Sequence, residues 1–136
     1  MTQYLISFVA TALAFLGLDA IWLSVMASRL YRPKLGSMLA DTFNLPAAAV
    51  FYVLYIFGLT FFVLTPALAS GRWQTAALYG ALFGLVAYGT YDLTNQATLK
   101  DWPVLITIVD LCWGMFVTSA ACIVGFKVTQ AVTGSM

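Results

Sequence analysis

Three aspartates, Asp19, Asp92 and Asp110, interrupt apolar runs long enough to cross a membrane, and the chain has neither Glu nor His. An ionisable side chain in hydrocarbon is costly, so such residues are functional candidates by default. A carboxyl there can hold a proton, accept from a donor or bind a cation. The absence of His excludes a His/Cys metal centre, and no cofactor motif or paired nucleophile and base appears.

Each acid lies roughly 10 Å inside the same interface, judged from its distance in residues to the nearest helix end at about 1.5 Å per residue. Three carboxyls at one level on three helices can converge. Asp19 and Trp22 share a face at i,i+3, as do Asp110 and Trp113. An indole N–H is a donor that can serve a carboxylate on a facing helix, and its ring face can hold a cation. Tyr88, Asp92, Asn95 and Gln96 form a polar stripe, and Tyr52 and Tyr55 enter from the same side at similar depth. The expected ligand- or ion-binding set is therefore Asp19, Asp92, Asp110, Asn95, Trp22, Trp113, Tyr88, Tyr52 and Tyr55, arranged as a pocket open to the cytoplasm. Three ionised carboxylates within a few ångströms need compensation, either a proton on one of them or a cation among them. The alternative is that these polar groups serve as interhelical hydrogen-bond glue.

The elements that carry these residues are read from hydropathy. Of the 136 residues, 62% are hydrophobic and 8% charged, with mean hydropathy +0.95. Soluble domains carry about 25% charged residues, so the solvent is a bilayer. A net charge of +1 gives no case for nucleic acid. Apolar runs at about 4–27, 46–68, 73–98 and 103–126 each reach the roughly 20 residues of a spanning helix. Long continuous runs predict helices rather than barrel strands. The fold class is all-α, a single four-helix membrane bundle. The first run lacks a basic n-region and contains Asp19, so it reads as a retained helix.

Boundaries are marked by chemistry. Asn44 and Pro46 predict the start of the second helix, Ser70 and Gly71 its turn into the third, and Asp101 with Pro103 the start of the fourth. Short connections predict antiparallel hairpins for helices 2–3 and 3–4. After Pro33, the residues Leu35, Met38, Leu39 and Phe43 alternate with Lys34, Ser37, Asp41 and Asn44, which suggests a short interfacial helix. Gly80-x-x-x-Gly84 suits close approach of another helix, inside the bundle or from a second copy. Its direction differs from that of Asp92 by about 80°, so one stripe can face a neighbour in the bundle and the other the polar pocket. Tyr4 and Trp73 mark one interface, and Tyr31 and Trp102 the other. Arg29, Arg32, Lys34 and Lys100 lie on one side against Arg72 and Lys127 on the other, which makes the first side cytoplasmic and the termini periplasmic. Cys112 and Cys122 lie ten residues apart on one helix, about 15 Å, too far for a disulfide.

The stretches Leu18–Leu23 (LDAIWL), Ala87–Asn95 (AYGTYDLTN), and Trp102-Pro103 through Asp110-Leu111-Cys112-Trp113-Gly114 resemble a bacterial family catalogued as domain of unknown function 2177. The resemblance covers nearly the whole chain and implies a four-helix membrane protein of the bacterial inner membrane, with no established activity or cofactor. Three functions follow as expectations. One is a module that binds a cation, a proton or a polar lipid headgroup, acting as a homo-oligomer. A second is an accessory subunit of a larger respiratory or photosynthetic membrane complex. The third is a lipid-modifying enzyme with a divalent metal on Asp and Asn oxygens.

Overall fold

The computed structural model describes residues 1–40 and 42–134, and it is all-helical. Four rods follow in chain order. The first comprises α1 (Thr2–Met26), a π turn (Ala27–Tyr31), α2 (Arg32–Leu35) and a 3₁₀ turn (Gly36–Met38). The second comprises α3 (Leu45–Leu59), a π turn (Thr60–Leu64) and α4 (Thr65–Ser70). The third is α5 (Trp73–Thr98) and the fourth α6 (Val104–Thr133).

Local chemistry explains most of these limits. The Asn44 side chain accepts from the Ala47 N–H at 3.1 Å, and Pro46 sits in the first turn, where its missing N–H costs nothing. Gly71 ends the second rod at φ 70°, in the left-handed region that suits glycine. Asp101 does not cap α6; it lies at φ 59° in the α5–α6 turn, and Pro103 occupies the cap position without a side-chain cap. The fourth helix also continues past the expected limit near Phe126 to Thr133. Apolar content marks the membrane's edge, whereas a helix can run on into the interface.

The segment between the first two membrane-length helices is not a separate interfacial helix beginning at Pro33. α2 (Arg32–Leu35) continues the first rod, which breaks at Gly36 (φ 55°, ψ −123°) before the short 3₁₀ turn Gly36–Met38. Asp41, part of the predicted amphipathic pattern, lies outside the described residues. Pro33 and Pro66 each fall two residues after a π turn. A proline inside a helix clashes with the carbonyl four residues back and cannot donate to it. The wider π turn moves that carbonyl away, so the rod passes through the proline unbroken. The Thr65 hydroxyl donates to the Thr60 carbonyl at 2.8 Å, five residues back, and serves one of the loosened acceptors.

Among the described residues, three helical stretches, Thr2–Met38, Leu45–Ser70 and Val104–Thr133, are long and apolar enough to cross a membrane. The remaining helix of the expected bundle, α5, is as long as a span, and its Thr, Asn, Gln and Asp residues make it the least apolar of the four. Thr90, Thr94 and Thr98 donate to the carbonyls of Val86, Thr90 and Thr94, so this exposed face satisfies its own hydroxyls.

Helix α6 is the hub, packing most extensively on α5 and then on α1. The row Gly80, Gly84, Tyr88 and Asp92 meets it in one register. A Cβ on Gly80 would lie 3.0 Å from Ser119 Cα, and the Tyr88 ring occupies the space where a Gly114 side chain would be. Rows at i,i+4 spacing pack as one ridge, so Asp92 and the glycines lie against the same helix, α6. The second rod is held mainly by its π turn, which touches α1, α5 and α6, while α3 touches α1 only lightly. Phe15, fully buried, anchors this region against Tyr52 and Tyr55. We expect Phe15→Ala to destabilise the bundle by about 2 kcal/mol. That is less than the roughly 3–5 kcal/mol typical of a water-soluble core, because lipid, not water, solvates the ring on unfolding. Denaturation in mixed micelles measures it.

Candidate functional site

The α5–α6 turn sets the register of the two helices that carry the acids. Gln96 Nε2 donates to the Trp102 carbonyl at 3.0 Å, Trp102 Nε1 donates to Thr107 Oγ1 at 3.0 Å, and Thr107 Oγ1 donates to Gln96 Oε1 at 2.9 Å. This closed triangle pins the hairpin one turn from Asp110 and one turn from Asp92. The two carboxyls then face each other across the helix interface.

Their surroundings differ. The Tyr31 hydroxyl donates to Asp110 Oδ1 and accepts from Trp22 Nε1 at 3.0 Å. Asp92 is fully buried, and no N–H or O–H donor of another described residue reaches either of its oxygens. Its neighbour across the interface is a second carboxyl, that of Asp110.

Asp19 is held separately. The Tyr52 hydroxyl donates to its Oδ2, and Trp113 Nε1 donates to its Oδ1 at 3.4 Å. Trp113 stacks on Trp22 with centroids 4.3 Å apart and planes at 9°. The two D-x-x-W pairs therefore serve each other crosswise: the α6 indole reaches the α1 acid directly, and the α1 indole reaches the α6 acid through Tyr31. Among the described residues, no group of three or more His, Cys, Asp or Glu is placed to hold a metal ion. Of the three acids, Asp92 and Asp110 meet face to face, and Asp19 connects to them through the stacked indoles.

The remaining predicted residues divide. Tyr55 is hydrogen-bonded to Thr118 Oγ1 at 2.8 Å, deep in the core and below the acids. Tyr88 packs on Gly114 and lines a cleft of about 320 Å³ with Phe51, Ala87, Tyr91 and Asp110. Asn95 is half-buried, and its backbone carbonyl accepts from the Leu99 N–H at 2.9 Å. Gly80 and Gly84 lie against α6 and leave no room for a methyl group at Gly84.

Tyr31, which its sequence position assigns to the interfacial aromatic belt, joins this polar cluster instead. Nine residues at 100° place it opposite Trp22 on an α-helix. The π turn advances less per residue and brings it round. The available signal was Pro33 inside a helical pattern, which demands relief in the preceding turn. Tyr31→Phe leaves the Trp22 N–H and one Asp110 oxygen without a partner. It is expected to cost roughly 1–2 kcal/mol and to shift tryptophan emission, both read in a denaturant titration followed by fluorescence.

No curated protein and no solved structure matches the chain. Residues 4–127 match the profile of the family described as predicted membrane protein (DUF2177). That span takes in both rods with internal prolines, the crossed D-x-x-W pairs and the facing carboxyls, and the chain belongs to this family of membrane proteins.

Proposed function

We propose that this protein is a membrane-embedded binding module in which the Asp92–Asp110 pair holds one positive charge, a proton or a cation. The carrying observation is Asp92, fully buried with both oxygens lacking a donor. An acid retained as glue has donors: Asp19 has two and Asp110 has one. Native structures satisfy nearly all buried polar groups; among the described residues the other exception is the neutral Thr11 hydroxyl packed against Gly125, so Asp92 is the ionisable one. A net single negative charge on the pair also spares the cost of two adjacent carboxylates in low dielectric.

Asp19, Tyr52, Trp22, Trp113 and Tyr31 position Asp110 and close the bundle around it. The Lys and Arg distribution supports an orientation in the bacterial inner membrane with the pair toward the cytoplasm and the termini periplasmic.

The test is a set of thermal unfolding curves in micelles, for wild type and Asp92→Asn, across pH and in sodium, potassium, magnesium and alkylammonium salts. A ligand that binds only the folded state raises stability with its concentration. Wild type is expected to respond to acid or to at least one cation, and Asp92→Asn to lose that response. Identical responses in the two proteins contradict the proposal.

A further inference from the structure

The geometry points to an amphiphilic amine, an ammonium group on an apolar body, as the ligand that enters the cleft beside Asp110. This inference rests on the binding site proposed above and names its ligand class.

The cleft lies between α3, α5 and α6, with walls of Phe51, Ala87, Tyr88 and Tyr91 and the Asp110 carboxyl at its polar end. Phe51 is 46% exposed and Tyr91 56% exposed, on helix flanks that face the bilayer. An occupant therefore arrives sideways from lipid. The light contact of α3 with its neighbours leaves this flank open. At about 320 Å³ the cleft is at the lower end of small-molecule sites, enough for a headgroup and the first part of a chain.

Charge and donor count select the headgroup. The cleft supplies a carboxyl and no basic side chain, which disfavours phosphate or carboxylate heads. Asp110 lines the cleft with one oxygen committed to Tyr31, and Asp92 lies fully buried behind it, outside the lining. An ammonium brings N–H donors to the Asp110 oxygen that Tyr31 leaves free, and its positive charge serves the pair. A divalent metal needs about six oxygen ligands, and the described residues place no three acids together. Phe51, Tyr88 and Tyr91 supply ring faces that attract an ammonium and slots for its apolar chain.

The experiment uses the full chain in neutral-detergent micelles, with melting temperature and intrinsic tryptophan fluorescence as readouts. The probes are dodecylamine, dodecanol, ethylamine and phosphatidylethanolamine. Dodecylamine is expected to stabilise wild type in a saturable manner, with apparent affinity at least about tenfold above that of ethylamine. Dodecanol should have no saturable effect, and phosphatidylethanolamine should bind more weakly than dodecylamine because its phosphate has no basic partner in the cleft. Asp110→Asn and, independently, Phe51→Ala should each weaken dodecylamine by about tenfold. Phe51 is partly exposed, so its variant tests the idea even if Asp110→Asn fails to fold. An equal response to dodecanol, or an unchanged dodecylamine response in Phe51→Ala, overturns the inference. If ethylamine or potassium binds as well as dodecylamine and Asp92→Asn abolishes it, the ligand class is wrong and the binding site stands. If no cation or proton response depends on Asp92, both fail.

Discussion

Gly84→Ala is expected to destabilise the protein by about 3 kcal/mol or more. A Cβ built on Gly84 would stand 2.2 Å from the Gly114 carbonyl oxygen, 2.8 Å from its carbon and 2.9 Å from Thr118 Oγ1. The first two atoms are backbone and cannot swing aside, so α5 and α6 must move apart. Overpacking typically costs 1–3 kcal/mol, and here one displacement disturbs the whole row from Gly80 to Asp92. Close packing is also the main force between helices in lipid, where apolar burial contributes little. Gly17→Ala is the control: nothing lies within 4 Å of its Cβ, and alanine's better helix propensity makes that change neutral or mildly stabilising. Denaturation in mixed micelles, with helicity as the readout, separates the two variants.

Asp92→Asn is expected to raise stability by about 1–3 kcal/mol while removing the site. The substitution keeps the side chain's shape, deletes a buried carboxyl without donors, and offers an amide N–H to Asp110. A functional residue maintained against the stability of the fold gives this signature when replaced. Glue predicts the reverse sign, since removing a satisfied acid leaves its donors unpaired. Asp19→Asn provides that contrast within the same protein. It weakens the charge-assisted bonds from Tyr52 and Trp113 and is expected to destabilise by about 1–2 kcal/mol.

Much of the frame was legible from residue types. Asn44 with Pro46, and Ser70 with Gly71, gave helix limits that the structure keeps, because caps and turns depend on local chemistry. The polar level was legible too, because an acid in a hydrophobic run is conspicuous whatever its partners. Three things were not. The π turns have no strong pattern of their own, so the continuation of the first rod through Pro33 and the reach of Tyr31 were invisible to a fixed 100° period. The shared partner of Gly84 and Asp92 depended on how the ridge crosses α6, which single-helix geometry does not specify. Asp101 resembled a cap by type and position, but the short α5–α6 turn forces it into the left-handed region and turns it away from that role. The separation of Asp19 from the facing pair arises from the indole stack, a tertiary contact between residues 91 apart in the chain.

The central claim is that Asp92 and Asp110 together carry one proton or one bound cation. Infrared difference spectroscopy of wild type against Asp92→Asn reads it most directly, in buffer whose only added cation is choline, which has no N–H to donate. A protonated-carboxyl C=O band is expected that vanishes in Asp92→Asn and converts to carboxylate bands when a binding cation is added to wild type. Spectra that show no Asp92-dependent carboxyl signal, in choline and in the other cations alike, contradict it.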